Sequence, residues 1–121
     1  MVMPELILET RKIGAGQGVQ LIRPNGLIDI ITSPELDSCI NRLIEAGLFR
    51  IIIDMSGTTY ISSAGWGIFI GSLRSIRENG GDIVFINMPE AIRDFFTTLK
   101  LESKFSFFEN QDDALAFFES L

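Results

Sequence analysis

The run Ile51-Ile52-Ile53 constrains this chain more than any other stretch. Three consecutive β-branched residues without polar alternation fit a strand covered on both faces, the pattern of a buried strand in a parallel sheet. Asp54 and the Ser56-Gly57 turn end it. Shortly after, Ser62 and Ser63 precede a segment of helical periodicity, so two adjacent hydroxyls stand where a buried strand gives way to a helix. The first turn of a helix leaves backbone N–H groups unpaired and carries the positive end of the macrodipole. An anion is stabilised there, including a phosphate attached to Ser63 itself.

Serine is also among the commonest helix N-caps, so a Ser-Ser pair in this place has a purely structural explanation. Gly65 and Gly67 add to the signal, because each costs roughly 1 kcal/mol relative to alanine inside a helix. Two of them in one first turn indicate that another body comes close. That body is either a neighbouring strand or the backbone of a partner protein, and the residues alone leave both open.

An α/β alternation runs from end to end without linker, low-complexity tract or repeat, so residues 1–121 read as one domain. Leu6 to Ile13 and Val19 to Arg23 read as strands joined by the glycine-rich connection Gly14 to Gly18. No lysine or helix follows those glycines, so the nucleotide-loop motif is not met. Thr32-Ser33-Pro34-Glu35 reads as a helix start with a hydroxyl cap, and Leu36, Cys39, Ile40, Leu43 and Ile44 form its apolar face up to Gly47. A second helix is predicted from about Ala64 to Asn79, with Trp66, Phe69, Ile70, Leu73 and Ile76 inward and Gly80-Gly81 as its stop. Ile83 to Asn87 is the next strand. Pro89 opens a third helix carrying Ile92, Phe95, Phe96 and Leu99; a short strand near Phe105 to Phe108 follows. Asn110 starts a last helix whose Leu115, Phe118 and Leu121 would cover the sheet. Strands alternating with helices imply a mainly parallel sheet with right-handed crossovers; whether helices cover one face or both is not readable from the pattern.

Composition narrows the function. With 46% hydrophobic residues the chain builds a packed core, and a net charge of −6 disfavours nucleic acid, whose phosphates an acidic surface repels. The same charge suits a basic protein partner. No apolar run approaches the ~20 residues of a membrane helix, and the N-terminus lacks a basic segment followed by an apolar one, so a cytoplasmic protein is expected, without direct membrane insertion. There is no histidine and one cysteine, Cys39, at an apolar helical position. A Ser-His or Cys-His pair is therefore impossible. Metal binding would fall to carboxylates such as Asp29, Asp54 and Asp82, which at strand ends serve more readily as caps; Asp54 and Asp29 are expected to cap and to position the Ser62-Ser63 loop. The expected protein is not an enzyme and carries no cofactor or metal.

Taken in order, Asn25-Gly26-Leu27-Ile28-Asp29, Asp54-Met55-Ser56-Gly57, Ile61-Ser62-Ser63-Ala64-Gly65-Trp66-Gly67 and Gly80-Gly81-Asp82 resemble the STAS domain family in its anti-sigma factor antagonist branch. The resemblance covers nearly the whole chain. It implies a mixed, mostly parallel sheet with helices packed largely on one face. It also implies a bacterial regulator that docks to an anti-sigma factor with serine-kinase activity, is switched off by phosphorylation, and is restored by a serine phosphatase. By position Ser63 matches the phosphoacceptor, with Ser62 the alternative. Asp29, Ser62, Ser63, Gly65, Trp66 and Gly67 match the partner-binding surface. Ser62 stands where the family has an acid, Ala64 where it has a hydroxyl, and Trp66 where it has a small aliphatic residue. The alternative reading is an unphosphorylated STAS adaptor in a signalling or transport complex. Binding of a small molecule or nucleotide at the same loop is a third.

Overall fold

The computed structural model describes residues 5–14 and 18–121; the centre of the predicted glycine-rich connection lies outside the described residues. Strand β1 (Leu6–Ile13) runs antiparallel to β2 (Val19–Ile28), in regular register from Leu6 opposite Gly26 to Ile13 opposite Val19. Next come α1 (Ser33–Glu45), β3 (Arg50–Asp54), a 3-10 turn at Met55–Gly57 and β4 (Thr58–Ile61). The chain continues through α2 (Ser63–Glu78), β5 (Asp82–Ile86), α3 (Glu90–Thr98), β6 (Ser106–Phe108) and α4 (Gln111–Glu119). The sheet order is β1-β2-β3-β5-β6, and every pairing except β1 with β2 is parallel.

The isoleucine triplet sits at the centre of this sheet with all three side chains fully buried. Ile51 and Ile53 face a core shared with α1, α2 and α3, whereas Ile52 faces a smaller core closed by Ala114 and Phe118 of α4. Helices thus lie largely on one face, with α4 alone on the other. Burying each such side chain is worth about 1.5–3 kcal/mol, so the triplet anchors both layers.

Strand β4 has no counterpart in the sequence reading, and β2 extends beyond the predicted Arg23. Both differences have one cause. β2 pairs with β3 through Gln20 to Ile22 and with β4 through Gly26 to Ile28, so β3 and β4 are one strand interrupted by the 3-10 turn. Pro24 lies on β2 opposite that interruption, where no ladder bond is lost by lacking an N–H. Its carbonyl instead accepts a hydrogen bond from the buried Thr58 hydroxyl at 3.0 Å.

Several residues assigned to apolar faces are exposed: Ile70, Phe95, Leu99 and Leu121. In α2 the inward stripe is Trp66, Phe69, Leu73 and Ile76, and Ile70 stands about 100° round the axis from Phe69. In α3 the buried positions are Ile92 and Phe96, one turn apart, which leaves Phe95 on the flank at 58% exposure. Of the phenylalanine-rich C-terminal third, Phe96, Phe105 and Phe118 are buried and Phe107, Phe108 and Phe117 partly so. Cys39 is core, and burial raises its thiol pKa.

Candidate functional site

Two loops leave the sheet side by side at the C-terminal ends of β2 and β4. The Ser62 N–H donates to the Ile28 carbonyl at 2.8 Å, which ties the entrance of α2 to the end of β2. Beyond Ile28 the chain turns on Asp29, whose carboxylate accepts from the N–H groups of Ile31 (2.9 Å) and Thr32 (3.0 Å). These bonds, that from the Thr32 N–H foremost, hold the Asp29 carboxyl below its ordinary pKa. The Thr32 hydroxyl donates to the Leu27 carbonyl at 2.8 Å and accepts from the Asp29 N–H at 2.9 Å. It therefore closes this loop and does not cap α1 as the sequence pattern predicted.

The loop thus fixed presents Ile30 and Ile31 to solvent, 76% and 59% exposed. Sequence reasoning passed over this pair. The available signal was its position: both lie between a strand-ending acid and a helix start, where packing gives two isoleucines no employment.

At the second loop the two serines divide the work. Ser62 is the N-cap of α2, with extended backbone and its hydroxyl accepting from the Gly65 N–H at 3.3 Å. Its carbonyl accepts from the Trp66 N–H. Ser63 is the first helical residue and is exposed. Among the described residues the N–H groups of Ser63 and Ala64 have no hydrogen-bond acceptor, so the first turn keeps two unpaired donors at the position of Ser63. No acidic residue occupies that turn.

Asp54 acts elsewhere. Its carboxylate accepts from the Ser56 N–H (3.0 Å) and from Asn87 Nδ2 (3.3 Å), capping the 3-10 turn and holding the loop after β5. The expectation that Asp54 positions the serine loop is corrected, since that loop hangs on the Ile28 carbonyl. Among the described residues no group of three or more His, Cys, Asp or Glu is placed to hold a metal ion.

Two expected partner contacts are also corrected. Trp66 is only 2% exposed, packed in an aromatic cluster with Phe69, Phe85 and Phe96 at ring separations of 5.6–6.1 Å. Gly65 is buried, and a β-carbon there would stand 2.7 Å from side-chain carbons of both Ile28 and Ile61. The close approach at Gly65 is therefore internal, between helix and strands. Gly67 is the opposite case: it is exposed, a β-carbon on it would meet nothing within 4 Å, and it borders a groove of about 320 Å³ between α1 and α2. Of the residues predicted to form one surface, Asp29, Ser62, Ser63 and Gly67 are at least partly open to solvent, and Trp66 and Gly65 lie beneath them.

A model of the STAS domain family matches residues 13–114. The chain belongs to the STAS domain family. An anti-sigma-B factor antagonist of Staphylococcus aureus is 24% identical over 75 residues, 62% of this chain and 69% of its own length. An anti-sigma factor antagonist from Mycobacterium paratuberculosis superposes with a TM-score of 0.76 at 22% identity, over 94% of this chain and 92% of that one. The anti-sigma factor antagonist SpoIIAA in its unphosphorylated form gives 0.71 at 18% identity, over 97% of this STAS domain and the whole of that chain. Among the described residues no helix is long and apolar enough to cross a membrane.

The cap geometry bears on the position where the family resemblance places an acid. Aspartate and serine are near-equal N-caps, each accepting from the N2 or N3 amide. Ser62→Asp should therefore leave stability within about 0.5 kcal/mol of the wild type, while Ser62→Ala should cost about 1 kcal/mol. Urea denaturation of the three proteins checks both figures. An alanine variant as stable as the wild type would show that the 3.3 Å bond to Gly65 contributes nothing.

Proposed function

We propose that this STAS domain is an anti-sigma factor antagonist that docks to an anti-sigma factor with serine-kinase activity through the surface around Ser63, and that phosphorylation of Ser63 breaks the docking. The reading is of a binding protein and not an enzyme. A serine phosphatase would restore the unmodified form. The observation that carries the proposal is the division of labour at the start of α2: Ser62 supplies the cap, which leaves the Ser63 hydroxyl exposed, beside two unpaired amides and free of any structural duty. The named relatives support the antagonist role, and the exposed Ile30, Ile31 and Gly67 give the surface apolar and close-packing character.

A phosphoryl group on Ser63 adds about −1.5 to −2 charges where the helix N-terminus tolerates an anion, so the fold stays intact while a docked surface facing it is repelled or left with a buried charge. Ser62, where the family resemblance places an acid, supplies the helix cap through its hydroxyl.

The test is incubation of the wild type, Ser63→Ala and Ser63→Asp with an anti-sigma factor of serine-kinase activity from the same organism, followed by mass spectrometry and calorimetry. Phosphate is expected on Ser63 in the wild type and absent from Ser63→Ala, which still binds. Ser63→Asp should lose affinity by about tenfold or more, some 1.4 kcal/mol, with its melting temperature nearly unchanged. Phosphate found only on Ser62 would move the acceptor by one residue. Full binding by Ser63→Asp, with no modification of any form, would replace the switch by the unphosphorylated adaptor.

A further inference from the structure

Among the described residues nothing pairs with the outer edge of β1, although it is an eight-residue strand without proline or bulge. Long, regular, open edges are normally blunted, most often by charge, because they template pairing with another chain. β1 does carry charge, at Glu9, Arg11 and Lys12, but its order is that of a strand complementary to itself. We infer that two copies of this chain associate through antiparallel pairing of their β1 edges about a two-fold axis at Thr10.

The direction of the backbone groups permits this register. The Pro24 carbonyl accepts from Thr58 on the far side of β2, so it points away from β1. In an antiparallel ladder the residue opposite such a group also turns its N–H and C=O outward. That residue is Leu8, and by alternation Thr10 and Lys12 offer their amides to the open edge as well. A two-fold axis at Thr10 then makes Thr10 and its copy a hydrogen-bonded pair, followed on each side by Leu8 opposite Lys12.

The side chains decide for the same register. Ile7, Glu9, Arg11 and Ile13 share the face of the sheet on which α4 lies, where Ile13 contributes to the smaller core. With the axis at Thr10, Ile7 falls opposite Ile13 of the second copy and Glu9 opposite its Arg11, each pair occurring twice by symmetry. Glu9 and Arg11 are then non-hydrogen-bonded pairs, the class in which side chains stand closest. Ile7, 59% exposed in the single chain, gains an apolar neighbour.

Neighbouring registers lose these features. An axis at Glu9, Arg11 or Lys12 sets that residue against its own like-charged copy, and an axis at Leu8 places Ile7 opposite Glu9 in a shorter ladder. Opposed like charges are destabilising, so the strand specifies one register.

The pairing is isologous and closes on itself, giving a dimer and not a filament. Because the two β1 strands run in opposite directions, the Ser63 ends of the two copies face opposite ways and both remain open. The inference therefore does not rest on the proposed docking to an anti-sigma factor.

Sedimentation velocity over a concentration series tests it on the full chain. The wild type is expected to pass from monomer to dimer as concentration rises. Glu9→Arg, which opposes two arginines twice, should raise the dimer dissociation constant by about tenfold or more. Combining Glu9→Arg with Arg11→Glu restores opposite charges in the same register and should return the dimer. Thr10→Pro, which removes the central outward amide, should be monomeric with an unchanged circular dichroism spectrum. A wild type that stays monomeric at every concentration overturns the inference, as does a dimer indifferent to Glu9→Arg or a double variant that fails to recover it.

Discussion

Trp66→Ala is expected to lower stability by about 3–5 kcal/mol, the cost of removing a large aromatic side chain from a packed interior. The ring lies beneath the start of α2 and touches the residues that join that helix to the sheet and to α3: Phe69, Phe85 and Phe96. Phe85 carries the contact on to Phe105, and Phe96 to Phe107, so the cavity would open in the middle of one continuous aromatic cluster. One term opposes the loss. The Trp66 indole N–H is buried with no hydrogen-bond partner among the described residues, and an orphaned donor of that kind costs about 1–3 kcal/mol. Trp66→Phe, which keeps most of the aromatic volume and deletes the donor, should accordingly fall within about 1.5 kcal/mol of the wild type. Urea denaturation followed by circular dichroism separates the two variants. The wild type offers a second readout, because Trp66 is the chain's one tryptophan and its emission reports this cluster directly. An alanine variant of full stability that had lost partner binding would return Trp66 to the docking surface.

Trp66 also shows where a sequence can be read and where it cannot. Its spacing with Phe69, Leu73 and Ile76 placed it on the inner face of α2, while family position placed it among the contact residues; periodicity was the better guide because it encodes burial. The isoleucine triplet was legible for the same reason, since a strand covered on both faces admits no polar alternation. Strand β4 was not. Thr58-Thr59-Tyr60-Ile61 is short and follows a serine-glycine turn, and it becomes a strand only because β2 runs on past Pro24 to receive it. That extension is a tertiary fact: a proline that would end a strand in isolation is harmless opposite a break in its neighbour. The serine pair was legible as a helix start, but not the assignment of the cap to Ser62 and the free position to Ser63. A one-residue difference of this kind is decided by the hydrogen bond from Ser62 to the Ile28 carbonyl, which no local pattern contains.

The same bond ties the candidate surface to the end of β2. Asp29 shapes the Ile30-Ile31 loop from within, and Ile28 carries the serine loop on its carbonyl, so β2 positions both halves of the surface. Phosphorylating Ser63 would change the charge of this surface without any hydrogen bond of the fold passing through the modified hydroxyl. A switch that leaves its own scaffold untouched needs only the partner to sense it.

Gly65→Ala and Gly67→Ala, two residues apart on one helix, should have opposite outcomes. At Gly65 the new methyl would stand 2.7 Å from Cγ2 of Ile28 and Cγ1 of Ile61, and 3.2 Å from the Ile28 carbonyl oxygen. Both isoleucine carbons are bonded directly to Cβ and move only with rotation about χ1 or with the backbone, so relief requires the first turn of α2 to lift away from β2 and β4. Overpacking of this kind costs about 1–3 kcal/mol, and the upper part of the range is expected because backbone has to move. The melting temperature should fall by roughly 10 °C. Lifting the turn also strains the Ser62 cap, so Ser63 presentation and partner affinity should fall together with stability. At Gly67 a methyl meets nothing, and the gain in helix propensity should raise stability by up to about 1 kcal/mol. A larger side chain there would project into the groove between α1 and α2. Gly67→Leu should therefore keep the melting temperature and weaken docking, if a partner's backbone follows that groove. Calorimetry and thermal melts on the three variants resolve the question. A Gly65→Ala protein that melts with the wild type would refute the internal close approach, and a Gly67→Leu protein that binds with full affinity would exclude the groove from the docking surface.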